Sequence, residues 1–384
     1  MKNTNFYFFI TVFVVAMIAG CQKESAKVDS LLNAALSGED ELTAKWGKPG
    51  KIVHNGESIQ AAIDNAKDGT TIFIEPGIYK EAITVSKPGI KLIGKVKQKN
   101  DEIIIQNPGE EEDGIFVSDE GDGFVLANVT VKDFEDNGVF LIYVENFTIS
   151  AVKSVNNAEY GIFPVHCAHG LIEACTVTGS SDTGIYVGQS DDVRMLSNIA
   201  YANVNGLEIE NSSNVTAAFN NSYNNVCGIL VDVLPGKDVK TCFNISVKSN
   251  NVSYNNHINF GDTVEIEGTI PSGIGLLILG ADNVIAENNI AVGNQFTGIV
   301  TFSTLVLSII ANIPPGDILS DIEPNPDNGK VARNYLHHNG FNPPVIPGLD
   351  LPGVDLLWDS SGVNNCWANN QFKTSAPSPL PSCN

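Results

Sequence analysis

Cationic side chains are scarce in this sequence. Its 384 residues hold 22 Lys and Arg against 44 Asp and Glu, a formal net charge of −22. Arginine is almost absent, with Arg194 and Arg333 alone. A field of this sign repels polyanions, so nucleic acid is not an expected partner. The same repulsion counts against acidic polysaccharides unless bound cations bridge the two. No Cys-x-x-Cys pair occurs, which argues against a zinc ribbon or a thioredoxin-like site. The Leu-x-x-Leu-x-Leu frame of leucine-rich repeats is missing as well. What the chain does have is apolar content: 43% of residues are hydrophobic, enough for a sizeable core.

The N-terminus has a distinct organisation. Lys2 precedes the apolar run FYFFITVFVVAMIAG, which ends in small residues at Cys21. A charged start, a run too short for a comfortable membrane span and a small-residue stop predict a signal peptide over 1–20. The tetrad Ile18-Ala19-Gly20-Cys21 resembles the lipobox of bacterial lipoproteins. That resemblance implies cleavage before Cys21, lipidation of Cys21 and anchoring in the cell envelope, because several acyl chains hold a protein on a membrane. Gln22 in place of Asp points to the outer membrane. Residues 21–50 are expected to form a tether with a short helix, and 51–384 a single folded domain.

Six further cysteines, Cys167, Cys175, Cys227, Cys242, Cys366 and Cys383, permit disulfides in an exported protein. Spacing does not fix the pairing. Cys366 with Cys383 would pin a Pro-rich tail, and Cys227 with Cys242 would close the base of a loop.

Within the domain, ESIQAAIDNAK places Ile59, Ala62, Ile63 and Ala66 on one helical face. Short β runs follow. A Gly preceding a branched or aromatic residue then recurs at Gly114, Gly138, Gly161, Gly184, Gly206 and Gly228, and again at Gly275 and Gly298, at intervals of 22 to 24 residues where no loop intervenes. Asn128, Asn198, Asn220, Asn250, Asn289, Asn334 and Asn370 run beside it. A period near 22 with short β runs predicts a stacked solenoid, an all-β parallel β-helix. The Asn stations are read as structural: Asn tolerates left-handed turns and bonds to the next Asn in line. The helix over 57–67 would cap one end, and the C-terminal stretch the other.

SIQAAIDNAKDGTTIFIEPGIYKEAITV looks like the first coil of a right-handed parallel β-helix of the pectin-lyase-like superfamily. YGIFPV, DTGIYVGQS, GLEIENS, GILVDVLPG and LLWDSSGVNNCW resemble a family of bacterial exported parallel β-helix repeat proteins, from about residue 50 to the C-terminus. The superfamily includes polysaccharide lyases, glycoside hydrolases and uronate epimerases, and also non-enzymatic adhesins. The Asp-Pro-His motif of alginate epimerases is absent, and the polygalacturonase signature is not present in order.

Strand alternation sorts the faces. Ile115, Val139, Ile162, Ile185, Leu207, Ile229, Leu276 and Ile299 should point inward. Phe116, Phe140, Phe163, Tyr186, Glu208 and Leu230 should point outward, with Gly188, Glu210 and Asp232 two residues further on. The outer face thus turns from aromatic to acidic. Coils stack about 4.8 Å apart, and Glu208 and Glu210 lie about 6.5 Å apart along one strand. Carboxylates this close need a proton or a cation such as Ca²⁺. Glu208, Glu210 and Asp232 are therefore candidate catalytic groups, candidate calcium ligands, or a solvated acidic patch. Paired carboxylates at this separation also serve glycoside hydrolysis. Phe163, His166, Tyr186, Gln189 and Asp191 are candidate glycan contacts. His169, Asp192 and Arg194 lie nearby, Arg194 being the one arginine available as a lyase-type base. Insertions at 231–242, 253–273, 303–328 and 338–362 are placed to wall a site, and Lys237 and Lys240 sit beside the acidic patch. The expectation is a membrane-anchored lipoprotein that binds a cell-surface or environmental polysaccharide, with cleavage, as a polysaccharide lyase or glycoside hydrolase, left open. A non-catalytic adhesion module and a metal-binding envelope protein are the alternatives.

Overall fold

The Gly stations are where successive coils come closest. A Cβ on Gly206 would sit 2.6 Å from the Gly228 carbonyl oxygen and 2.8 Å from Asn225 Nδ2. Only a residue without a side chain lets the turns stack there. The computed structural model describes residues 39–96 and 101–383. The expected signal peptide, Cys21 and most of the 21–50 tether lie outside the described residues.

The coils build three parallel faces, a 12-stranded, an 11-stranded and a 7-stranded sheet, the last continued by a separate pair. One coil runs Thr183–Gly188, Asp191–Leu196, Ile199–Tyr201 and re-enters the first sheet at Asn205–Glu210. Parallel strands joined in this way wind right-handed. The register follows the repeat: Ile185 pairs with Leu207, then Ile229, Leu276 and Ile299, all essentially buried. The expected outer row is equally regular, Tyr186 beside Glu208, Leu230, Leu277 and Val300. Phe116, Phe140 and Phe163 form its N-terminal part.

Helix α1 (Glu39–Trp46) lays Leu42 on Phe73, Ile93 and Val125, covering the outside of the 12-stranded sheet. Helix α2 (Ile59–Asp64) buries Ile59, Ala62 and Ile63 on the first coil; Ser58 caps it through the Ala61 amide at 3.0 Å. It is shorter than the amphipathic spacing predicts, and Asn65 forms its C-cap.

The Asn column exists with two corrections. The column starts at Asn198, and Asn220, Asn250, Asn289, Asn334 and Asn370 each accept from the Asn before it at 2.8–3.0 Å. The left-handed residue, however, is the one before each ladder Asn, such as Ser197 (φ 57°) and Phe219 (φ 60°). Asn128 occupies that preceding position (φ 59°), and buried Val129 takes the column place on its coil. A second column, Asn203, Asn225, Asn255, Asn294 and Asn339, was not anticipated. Cys366–Cys383 is a disulfide with Trp358 and Trp367 packed beside it, 5.1 Å between rings. Cys227 and Cys242 are not paired. Each is a separate buried thiol that packs as a small apolar group, as do Cys167 and Cys175.

Candidate functional site

The outer face of the 11-stranded sheet divides into three zones. The first is a half-buried aromatic row: Phe116 and Phe140 lie 5.4 Å apart, Phe140 and Phe163 5.1 Å, Phe163 and Tyr186 4.9 Å. Tyr160 stacks on Phe163 at 4.0 Å and 11°. The turn after each strand adds a flanking row of left-handed residues, Tyr143, His166, Gln189 and Asn211. His166 stacks on Tyr143 at 4.7 Å, and its Nε2 lies 3.8 Å from Asp238 Oδ2.

The second zone is acidic. A Cβ on Gly188 would lie 2.2 Å from the Tyr186 ring, so the missing side chain is what lets that ring lie back along its own strand. The Tyr186 hydroxyl then donates to Glu210 Oε1 at 2.8 Å, alongside Gln189 Nε2 at 2.8 Å and Lys237 Nζ at 3.1 Å. Glu208 Oε2 meets the Thr183 hydroxyl and, at 3.1 Å, Asn205 Nδ2. Thr183 Oγ1 also contacts Asp182 Oδ1 at 2.9 Å. The two carboxyls compete for the single hydroxyl proton. Burial, reinforced by the charge of Asp232, holds Glu208 well above the ordinary carboxyl range. Burial and then neighbouring carboxylates do the same for Asp232 and Asp182, and burial raises Glu267. Burial works against the Lys237 charge, but Glu210 outweighs it and raises the ammonium's pKa.

Glu208, Glu210 and Asp232 converge as the alternation predicts, each offering an oxygen within 4.8 Å of the others. They are not an open patch. Their relative exposures are 1%, 2% and 1%, because the insertions fold over them. Asn211 pins the 233–242 loop through Leu234 and Val239, and Lys240 crosses to Asp321 at 2.7 Å instead of joining the carboxylates. Three hard oxygen donors fit a calcium-like cation, and Asp232 Oδ1 is buried without a hydrogen-bond partner. Asp282, Glu323 and Asp327 form a second, more exposed acidic trio.

Of the candidate glycan contacts, Phe163, Tyr186 and Gln189 meet in this site, and His166 flanks it. Asp191 does not join them. It lies on the neighbouring 12-stranded sheet, exposed, and bonds Ser213 and Asn214. His169 pairs there with Asp192 at 2.9 Å, and Arg194 is exposed on the same strand. Tyr160, Asp182 and Glu267 were missed. Tyr160 and Asp182 carry a readable signal, since each stands just ahead of a Gly-anchored strand; Glu267 comes from an insertion with no repeat to place it.

The third zone is apolar. Beyond Asp232, Leu230, Leu277 and Val300 floor an apolar pocket that opens to solvent.

Residues 92–233 match the family model described as the right handed beta helix region. No curated protein matches the chain in sequence. Among solved structures, the Azotobacter vinelandii mannuronan C-5 epimerase AlgE4 A-module is 15% identical with a TM-score of 0.56, over 86% of this chain and 94% of that one. The AlgE6 A-module of the same organism is 16% identical with a TM-score of 0.54, over 83% and 86%. DFA-IIIase from Arthrobacter chlorophenolicus A6, in complex with GF2, is 10% identical with a TM-score of 0.52, over 86% and 97%. At such identities the likeness is one of fold, a right-handed parallel β-helix, as expected.

Proposed function

We propose that this β-helix is a glycan-binding protein. An extended sugar chain lies along the outer face of the 11-stranded sheet and ends against the Tyr186–Glu210–Lys237 set. The observation that carries the reading is the half-buried aromatic row, Phe116, Phe140 and Phe163, at ring separations of 5.4 and 5.1 Å. Such rings offer apolar faces for sugar stacking. His166 and Gln189 supply hydrogen-bonding edges beside them. The fold is shared with mannuronan epimerase modules, which are carbohydrate-acting by their names. A net charge of −22 favours neutral or amine-bearing sugars over polyuronates.

Binding is favoured over cleavage because the carboxylates that would do acid–base work are covered. The test is a glycan array followed by calorimetry on the best ligand. Phe163→Ala should weaken that ligand about ten-fold or more, the effect of losing roughly 1.5 kcal/mol of aromatic contact. Reducing-end and unsaturated-product assays should stay blank. No glycan binding, or binding indifferent to Phe163→Ala, sinks the reading, and product formation replaces it with an enzymatic one.

A second reading, a structural cation at Glu208, Glu210 and Asp232, is supported by the unpartnered Asp232 Oδ1. Calcium titration with heat and a raised Tm supports it; no heat and no shift removes it. Lipidation of Cys21 would anchor the site to the cell envelope, with Gln22 favouring the outer membrane, and loss of acyl labelling in Cys21→Ser tests that anchor.

A further inference from the structure

The sheet face C-terminal to the carboxylates carries no sugar-binding chemistry. Where the aromatic row ends, the same outward register continues as Leu230, Leu277 and Val300. Outward-facing strand positions that are all aliphatic need a cover. Three insertions supply walls rather than a lid: Ile266 and Ile270 from one, Ile310 from the helical insertion, and Leu349 from the last. The space they border is apolar and runs out into open solvent. The lining is apolar except at one end, where Asp232 and Glu267 stand.

That end is chemically unfinished. Asp232 is 1% exposed, and its Oδ1 has no hydrogen-bond partner. A buried carboxyl oxygen left unpaired is costly. The nearest base, Lys237, is committed to Glu210 at 3.1 Å and does not complete Asp232. A ligand that fits must therefore bring an apolar body for the pocket and a cationic donor for its end.

We propose that this pocket binds a cationic amphiphile, an aliphatic chain or ring system bearing a primary amine, whose ammonium hydrogen-bonds Asp232 beside Glu267. Charge selects the head group: an anionic amphiphile such as a fatty acid would set a carboxylate against Asp232, Glu267, Glu208 and Glu210. The site is separate from the aromatic row, so it stands whether or not a glycan binds there.

The test titrates decylammonium, decanol and decanoate into the full chain by calorimetry. EDTA is present throughout, so that no divalent ion competes at Asp232. Decylammonium should bind saturably, decanol more weakly and decanoate not at all. Asp232→Asn should weaken decylammonium about ten-fold or more, as expected for a charged hydrogen bond, and leave decanol unchanged. Leu277→Trp should fill the pocket and abolish binding of both. Ile310→Trp, on the wall and outside the strand ladder, gives the same readout should the first variant not fold. Saturable binding with that order and those losses supports the proposal. No saturable decylammonium binding overturns it. So does decanoate binding as well as decylammonium, or indifference to both tryptophan substitutions.

Discussion

Replacing Lys237 by Met removes the cation that reaches the buried carboxyl set while keeping most of the apolar stem. In the folded chain its ammonium lies 3.1 Å from Glu210 Oε1. Removing one partner of a fully buried ion pair costs about 3–5 kcal/mol. Glu210 is 2% exposed but Lys237 is 39% exposed, so solvent already screens part of this attraction. A loss of about 2–3 kcal/mol is expected at about pH 8. At ~2.1 cal/mol/K per residue, the 384-residue chain melts with ~0.8 kcal/mol/K, so Tm should fall by about 2.5–4 °C. The pH dependence has a definite sign. Glu208, Asp232, Asp182 and Glu267 all have folded-state pKa values raised above the ordinary carboxyl range. Their contribution is complete below about pH 4 and is lost as pH rises through the raised values. Wild-type Tm should therefore climb as pH drops from about 8 to about 5.5, the reverse of ordinary acid destabilisation. The Lys237→Met deficit should shrink over the same window, because protonation removes the like charges that the ammonium offsets. Scanning calorimetry in EDTA at both pH values decides it. An unchanged Tm at pH 8, or a wild-type Tm that falls on acidification, refutes the electrostatic account.

Gly188→Ala should push the Tyr186 ring off its own strand and break its bond to Glu210, at about 1–3 kcal/mol of overpacking. Near-UV circular dichroism and Tm read it, and an unchanged aromatic signal contradicts the contact. Asn220→Ala removes the acceptor of the Asn198 backbone amide and the side-chain donor to the Met195 carbonyl, and leaves Asn198 Nδ2 its bond to the Ile172 carbonyl. Denaturant unfolding should show a loss of about 3 kcal/mol or more, and a loss under ~1 kcal/mol would mean the column is incidental. Reducing Cys366–Cys383 opens a 17-residue loop at the C-terminal end. About 3 kcal/mol should be lost from that end, seen as faster proteolysis there while the coil carrying Glu208 stays protected.

The coil was legible because its cause is local and repeated. A Gly where backbones touch, an apolar residue after it and an Asn at the turn recur at one spacing, so Glu208, Glu210 and Asp232 could be placed side by side from numbering alone. The environment of those carboxylates was not legible. It depends on where the 233–242 and 254–273 segments fall, and insertions have no repeat to set their register. That is why Asp232 was read as an outward-facing group and proves buried, and why Glu267 was missed. Asp191 went astray for a different reason. The left-handed turn at Gln189 ends one face and starts another, so two nearby residues diverge. Cys227 and Cys242 misled because loop length alone says nothing about where a thiol points.

The second Asn column has a direction. Asn203, Asn225, Asn255, Asn294 and Asn339 all donate toward the C-terminal end, and the series finishes on Asp355, which takes the Asn339 backbone amide at 3.2 Å and Nδ2 at 2.9 Å. Aligned amides polarise one another, and the carboxylate is a stopper at the electropositive tip. The rod is therefore vectorial. A turn spliced into its middle with an Asn in place continues the column, but one appended beyond Asp355 meets a side chain with no amide to donate onward, so the column favours lengthening upstream of that residue.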